Sequence, residues 1–215
     1  MKRYDVINNI IKTEHYVTYL EIGYGTGLNY DNIQIKNKVG IDIGYGVEDK
    51  TKCFIGNATS YFSINKLMLF DIIFIDGSHL FEDVLEDIYI SLDHISDSGT
   101  IVLHDCNPPN RQFQKRKQVP GCPGWTGDVW KAIHYLKVHR KDLCIYVIDT
   151  DYGCGVIRKG NNYNHLMTPR FFKMTVMEKV YLQTISLFYS YSKLAKNRKS
   201  ILGLITTDDF LLMNG

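Results

Sequence analysis

The sequence lacks the marks of several broad classes. It holds no run of about 18 apolar residues, so no stretch should span a bilayer as a helix. Its five cysteines (Cys53, Cys106, Cys122, Cys144 and Cys154) are odd in number and include no Cys-x-x-Cys pair. A zinc site or disulfide framework is therefore not expected. Cys53, Cys144 and Cys154 lie in apolar runs and are expected as small core residues. Charge is nearly balanced, at +2, which gives no case for a nucleic-acid partner. The first residues, Met1-Lys2-Arg3-Tyr4-Asp5, carry charge and lead into Ile7, Ile10 and Ile11 at helical spacing. That does not resemble a signal peptide, and a soluble, cytoplasmic protein is the expectation. Proline is scarce, and four of the five prolines crowd between residues 106 and 126.

Apolar residues make up 45% of 215 positions, enough for one packed domain with a small appendage. Strands are expected at Val17–Ile22, Lys38–Ile43, Cys53–Ile55, Phe70–Asp76 and Thr100–His104. Their continuous apolar runs point to a sheet buried on both faces. Leu143–Ile148 and Cys154–Ile157 flank the turn Asp149–Gly153 and read as a terminal hairpin. Between strands, Phe81, Val84, Leu85, Ile88, Leu92 and Ile95 form one helical stripe. Ser96–Gly99 should then turn the chain into the fifth strand, and a second helix should run from about Gly127 to Arg140. The fold expected is a Rossmann-like, doubly wound α/β domain. Its seven-stranded sheet is mostly parallel, with helices on its flanks and a C-terminal antiparallel hairpin. Residues 1–160 would form this domain, and residues 161–215 a helical extension packed on it. Phe171 to Arg198 has helical spacing, including Phe172, Val176, Val180, Leu187, Tyr191 and Leu194. Its aromatics leave a packed helix, a homodimer surface and an acceptor-site wall open.

The first strand runs into Glu21-Ile22-Gly23-Tyr24-Gly25-Thr26-Gly27. Closely spaced glycines let backbone N–H groups approach a ligand, and Asp42, ending the next strand, can accept from ribose hydroxyls. A dinucleotide loop has the spacing Gly-x-Gly-x-x-Gly; here it is Gly-x-Gly-x-Gly with Glu21 just before. An acidic entrance suits a cationic ligand and opposes a pyrophosphate. Only ten residues, Leu28 to Asn37, lead to the second strand, so the first crossover helix should be little more than two turns.

These residues resemble motifs I and II of class I S-adenosylmethionine (SAM)-dependent methyltransferases. Phe70-Asp71-Ile72-Ile73-Phe74-Ile75-Asp76-Gly77-Ser78-His79 is similar to a segment of the methyltransferase domain 24 subgroup, related to catechol and macrolide-sugar O-methyltransferases. Gly99–Asp105 and Gly127–Ala132 match its fifth strand and following helix. The resemblance covers roughly residues 17–158; each motif is modest alone, and the order and spacing are specific. It implies SAM as cofactor. Gly23, Tyr24, Gly25 and Gly27 would line its methionine part, with Glu21 close behind. Asp42 would take the ribose, Asn57 and Ala58 the adenine, and Asp76 would lie beneath the sulfonium.

Methyl transfer needs an aligned acceptor and a base to take its proton. Asp76 and His79 follow the fourth strand, His104 and Asp105 the fifth, and these four are the expected catalytic residues. Catechol-type relatives instead place Mg²⁺ between such aspartates. Here the third position is Cys106, with Asn107 one later, and a thiol suits neither Mg²⁺ nor Mn²⁺. No metal ligands are assigned. The loop from Cys106 to Thr126 carries Arg111, Lys115, Arg116, Lys117 and Trp125, and reads as an acceptor lid. The acceptor expected is a hydroxyl of a small molecule, sugar or glycan, with the basic set suited to an anionic one. The competing readings are a Mg-dependent catechol-like O-methyltransferase, with Mg²⁺ or Mn²⁺ as a less favoured cofactor, a NAD-dependent oxidoreductase and a silent SAM-binding scaffold.

Overall fold

The computed structural model describes residues 1–163 and 174–213. Eight strands form one sheet in the order β3-β2-β1-β4-β5-β7-β6-β8. These are β1 (Thr18–Ile22), β2 (Asn37–Asp42), β3 (Phe54–Ile55), β4 (Phe70–Ile75), β5 (Ile95–Leu103), β6 (Leu143–Ile148), β7 (Cys154–Lys159) and β8 (Leu204–Ile205). The first five pair in parallel, and β7 runs antiparallel to both β5 and β6. The Rossmann-like sheet and its terminal hairpin are as the sequence implies. An eighth strand is added.

Alternation along the strands sends side chains to two cores. Leu20, Ile22, Ile73, Ile75, Ile101 and Leu103 meet α4 (Phe81–His94) and α5 (Trp130–His139) on one face. Tyr19, Ile72, Phe74 and Val102 meet α1 (Arg3–Glu14) and Phe210 on the other. Helix α1 turns Val6, Ile7 and Ile10 wholly inward, which fixes its first residue, Arg3, over the strand ends.

Several boundaries differ from expectation. The crossover helix α2 (Leu28–Asn32) has five residues, shorter even than two turns. Ser96–Gly99 does not separate α4 from β5. The ladder pairs Phe70 with Ile95 and then Ile72 with Thr100, so these residues form a bulge inside a longer strand. Cys154 is a buried core residue, but Cys144 is exposed and Cys53 only half-buried.

The tail is not one helix. It breaks into α6 (Val176–Ser186), α7 (Tyr191–Lys196) and α8 (Arg198–Leu202). Thr175 and Ser190 cap α6 and α7 by accepting from Glu178 N and Lys193 N. Leu182 and Leu194 pack inward while Val176, Val180 and Leu187 stand exposed; the expected start at Phe171, with Phe172, lies outside the described residues. The chain then adds β8 beside β6, and α9 (Thr207–Met213) buries Phe210 on the α1 side. This strand, starting two positions past the end of α8, was not legible because Leu204–Ile205 is too short to show a period.

Candidate active site

The parallel half of the sheet changes direction between β1 and β4, and a crevice opens there at the carboxyl ends of the strands. Backbone bonds carry the ladder past the strand ends. Gly23 N donates to Ile41 O at 2.8 Å, Asp76 N to Ile22 O at 2.8 Å and His104 N to Ile75 O at 3.0 Å. The loops bearing the motif residues are thereby held side by side. Gly23 has φ +95°, and a Cβ there would run into the Asp76 carbonyl. Only glycine lets these two loops touch.

Two cavities meet at this point. One, of about 620 Å³, is lined by Gly23, Gly25, Asp42, Asn57, Ala58 and Asp76, among others. The second, of about 540 Å³, takes in Glu21, Tyr24, Arg3, His104, Asp105 and Asp151. Gly23, Gly25, Asp76, His79 and Trp125 belong to both walls. Gly27 lines neither; at φ +81° it turns the chain into α2 beneath Tyr24.

Asp42 accepts from Gly25 N at 2.9 Å and Gly44 N at 2.7 Å. Beside it Ile43 and Tyr45 are 75% and 88% exposed, an apolar rim to the larger cavity. Asn57 caps α3 (Ala58–Ile64), its Oδ1 accepting from Ser60 N at 2.8 Å. Its oxygen is thus engaged by the backbone. Glu21 is 1% exposed and accepts from Tyr19 Oη and, at 2.9 Å, from Asn29 Nδ2. Burial outweighs both bonds and pushes its carboxyl up to about 8.

The four expected catalytic residues converge. His79 Nδ1 lies 3.1 Å from an Asp105 oxygen, and its ring stacks on Trp125 at 4.6 Å and 9°. His104 Nδ1 lies 3.3 Å from Asp76 and 3.2 Å from Asp105. Its Nε2 lies 3.7 Å from Asp151. These are ion-pair distances without hydrogen-bond alignment. Burial works against charge on His104, but Asp76, Asp105 and Asp151 outweigh it and hold its pKa well above the ordinary imidazole value. Burial would raise the Asp76 carboxyl, and His104 and Arg3 instead hold it low. Asp105 takes φ +61°, a turn pinned by Cys106 N and Asn107 N donating to Gly153 O and Tyr152 O.

Two site residues were missed. Arg3 contacts Asp76 through Nη1 and Asp151 through Nε at 3.0 Å and its backbone N at 3.1 Å. Asp151, held far below the usual carboxylate range mainly by His104, closes the ring of charge. Arg3 gave no signal beyond a charge at a helix start, and Asp151 read as a turn former. The lid expectation holds only in part. Trp125 and Arg116 reach the cavities, whereas Arg111, Lys115 and Lys117 are exposed and line neither. Arg116 is committed to Glu82 at 2.5 Å and Asp128 at 3.0 Å.

The strand order, with β7 antiparallel between β5 and β6, is that of the methyltransferase Rossmann-like fold. Residues 35–106 match the model of a methyltransferase-domain family. The chain is similar to a SAH-bound methyltransferase of Podospora anserina, at 18% identity over 74% of this chain and 78% of that one, with a TM-score of 0.54. It is also similar to an O-methyltransferase of Bacillus cereus solved with SAH, at 11% identity over 73% and 80%, with a TM-score of 0.55. No curated protein sequence matches significantly. Among the described residues no helix is long and apolar enough to cross a membrane.

Proposed function

We propose that the chain methylates a hydroxyl of a small molecule, with a sugar or glycan hydroxyl as the favoured acceptor. The observation that carries this reading is the meeting of the two cavities at Asp76 and His79. The larger cavity would hold the adenosine part of SAM: Asp42 toward the ribose, Asn57 and Ala58 toward the adenine, and Ile43 and Tyr45 as its apolar cover. Gly23, Tyr24, Gly25 and Glu21 line the second cavity and would surround the methionine part. When bound, SAM supplies a methyl group already activated on a sulfonium. The residues then need only seat the acceptor and take its proton.

His79 suits the base. Asp105 sits at its Nδ1, Trp125 holds its ring plane, and Nε2 has no protein partner among the described residues. An imidazole oriented by a carboxylate is the usual group for taking an acceptor's proton. His104 does not suit that role, because its carboxylate neighbours keep it as the imidazolium. It serves instead as a positive charge between Asp76 and Asp105, offsetting the repulsion of the two side chains. Trp125, on both cavity walls, offers a flat apolar surface of the kind that packs against a sugar ring. An anionic acceptor loses its main support, since Arg116 is already paired with Glu82 and Asp128.

Calorimetry with SAM, S-adenosylhomocysteine and NAD tests the cofactor, and NAD binding without SAM binding would overturn the reading. A SAM-consumption screen over sugars, nucleotide sugars, glycans and catechols then tests the acceptor. His79→Ala should abolish transfer while S-adenosylhomocysteine still binds.

A further inference from the structure

Three carboxylates, Asp76, Asp105 and Asp151, surround His104 on the wall of the second cavity, and Asp76 reaches both cavities. Charges so close require a cation between them. Asp76, His79 and Asp105 do offer one ligand atom each within 4.8 Å of one another, and a divalent metal could be imagined there. The donor set fits poorly. Mg²⁺ takes near-ideal octahedral oxygen coordination, and this group supplies two carboxylates and an imidazole. Cys106 is turned away toward Leu103 O at 3.4 Å, and Asn107 is spent on Asp149 at 2.9 Å and on Arg198. Above all, the carboxylates are already met by cations of the chain itself. Arg3 lies on Asp76 and Asp151, and His104 between Asp76 and Asp105.

We propose that Arg3 is the resident counter-cation of this site, neutralising Asp76 and Asp151 beside the place a divalent metal would take, so that the chain's methyl transfer needs no metal. The proposal rests on reading the site as a methyl-transfer centre. Arg3 is a built feature rather than a passing surface contact. It opens α1, whose Val6, Ile7 and Ile10 are wholly buried. Its backbone N and its Nε grip one carboxylate oxygen of Asp151. Thr150 Oγ1 donates to Met1 O at 2.6 Å and Lys2 Nζ stands 3.7 Å from Asp151, so the segment before α1 is docked on the β6–β7 turn. The planar guanidinium spans two carboxylates at once, which an ammonium does only as a point charge. Arg3 acts through Asp76 and is a positioning residue, not a catalytic one.

The test is Mn²⁺ uptake by the chelator-stripped full chain, followed by electron paramagnetic resonance of the free ion with S-adenosylhomocysteine present. Wild type should take up no Mn²⁺ at this site. Arg3→Ala should gain affinity by roughly tenfold or more, because a like charge has left the carboxylates. Arg3→Lys keeps the charge but not the fork, and its gain should be smaller than that of Arg3→Ala; adding Asp105→Asn to Arg3→Ala should erase the gain. With an acceptor from the screen, wild type should keep full activity in chelator, and Arg3→Ala should fall and be restored by Mn²⁺. Two results would overturn the proposal: saturable Mn²⁺ uptake by wild type that Asp105→Asn abolishes, or a folded Arg3→Ala chain with no gain in affinity. If Arg3→Ala does not fold, the wild-type titration decides alone, uptake lost on Asp105→Asn refuting the idea and absence of uptake upholding it. Failure of S-adenosylhomocysteine to bind would sink the methyltransferase reading instead, and the Mn²⁺ comparison would still stand.

Discussion

Replacing Glu21 with Gln should stabilise the ligand-free protein at alkaline pH and weaken its hold on SAM. Glu21 lies under the glycine loop, 1% exposed, with its carboxyl pushed up from the ordinary 4.5 to about 8. The unfolded chain releases this proton near the ordinary value, while the folded chain keeps it. Between those two values the native state therefore binds more protons, and stability falls as pH rises. Each tenfold change in proton affinity is about 1.4 kcal/mol, so the full penalty above pH 8 is about 5 kcal/mol. Water entry and local relaxation should reduce what is realised to roughly 2–4 kcal/mol. For a chain of this size, that is a gain of roughly 5–15 °C in Tm for Glu21→Gln at high pH. At about pH 5 both side chains are neutral in the fold, and the difference should nearly vanish.

The assay is thermal unfolding of both proteins across that pH range, without ligand. A second arm measures proton release on SAM binding, by calorimetry in two buffers of different ionisation enthalpy. A cationic ligand beside Glu21 favours the carboxylate, so binding near pH 7 should release up to about one proton in wild type and none from this site in Glu21→Gln. Parallel Tm curves for the two proteins from about pH 5 to 9 would refute a buried neutral acid. Equal proton release would refute its role toward the ligand.

Asp42→Asn removes the charge and leaves an acceptor for only one of Gly25 N and Gly44 N, which bond to different carboxylate oxygens; it should weaken S-adenosylhomocysteine binding by about 10–100-fold in calorimetry and cost roughly 1–3 kcal/mol of stability. His104→Asn removes the cation between Asp76 and Asp105 and should destabilise the fold by roughly 3–5 kcal/mol in denaturant unfolding near neutral pH. Because the folded pKa of His104 is raised, this loss should be full below the ordinary imidazole value of 6.5 and shrink as pH climbs through the folded one.

Long periodic elements were legible because burial is written into them at every turn. Helix α4 buries all of Phe81, Val84, Leu85, Ile88 and Leu92, the stripe its sequence displays. The parallel strands were legible for the same reason, since both faces are covered. Where local chemistry decides, the sequence was harder to interpret. The breaks in the tail are set by the single caps Thr175 and Ser190, and a helical period runs across them unaltered. Bulge residues 96–99 carry turn chemistry whether they end a helix or interrupt a ladder. The basic residues of the 106–126 loop looked like one set because charge in a loop has no address. Arg116 belongs with Glu82 and Asp128, which no spacing rule connects to it.

The same limit bears on the motifs proposed as catalytic. Asp76, His79, His104 and Asp105 were visible as a constellation because each follows a strand that the sheet sets beside its neighbour. Their protonation states were not visible, since these are set from outside the motifs. His104 is held as a cation by Asp76 and Asp105 together with Asp151, which lies 47 positions on in the β6–β7 turn. Asp151 is in turn held by Arg3, at a sequence separation of 148. Remove that outer pair and His104 loses one of its three carboxylates, while Asp76 loses a guanidinium. Two chains with identical motifs but different residues at positions 3 and 151 would then divide acid, base and counter-cation differently among the same four side chains. On the proposed reading the motif sets the reaction class, and the segments that close over it set whether a metal or a guanidinium balances its carboxylates.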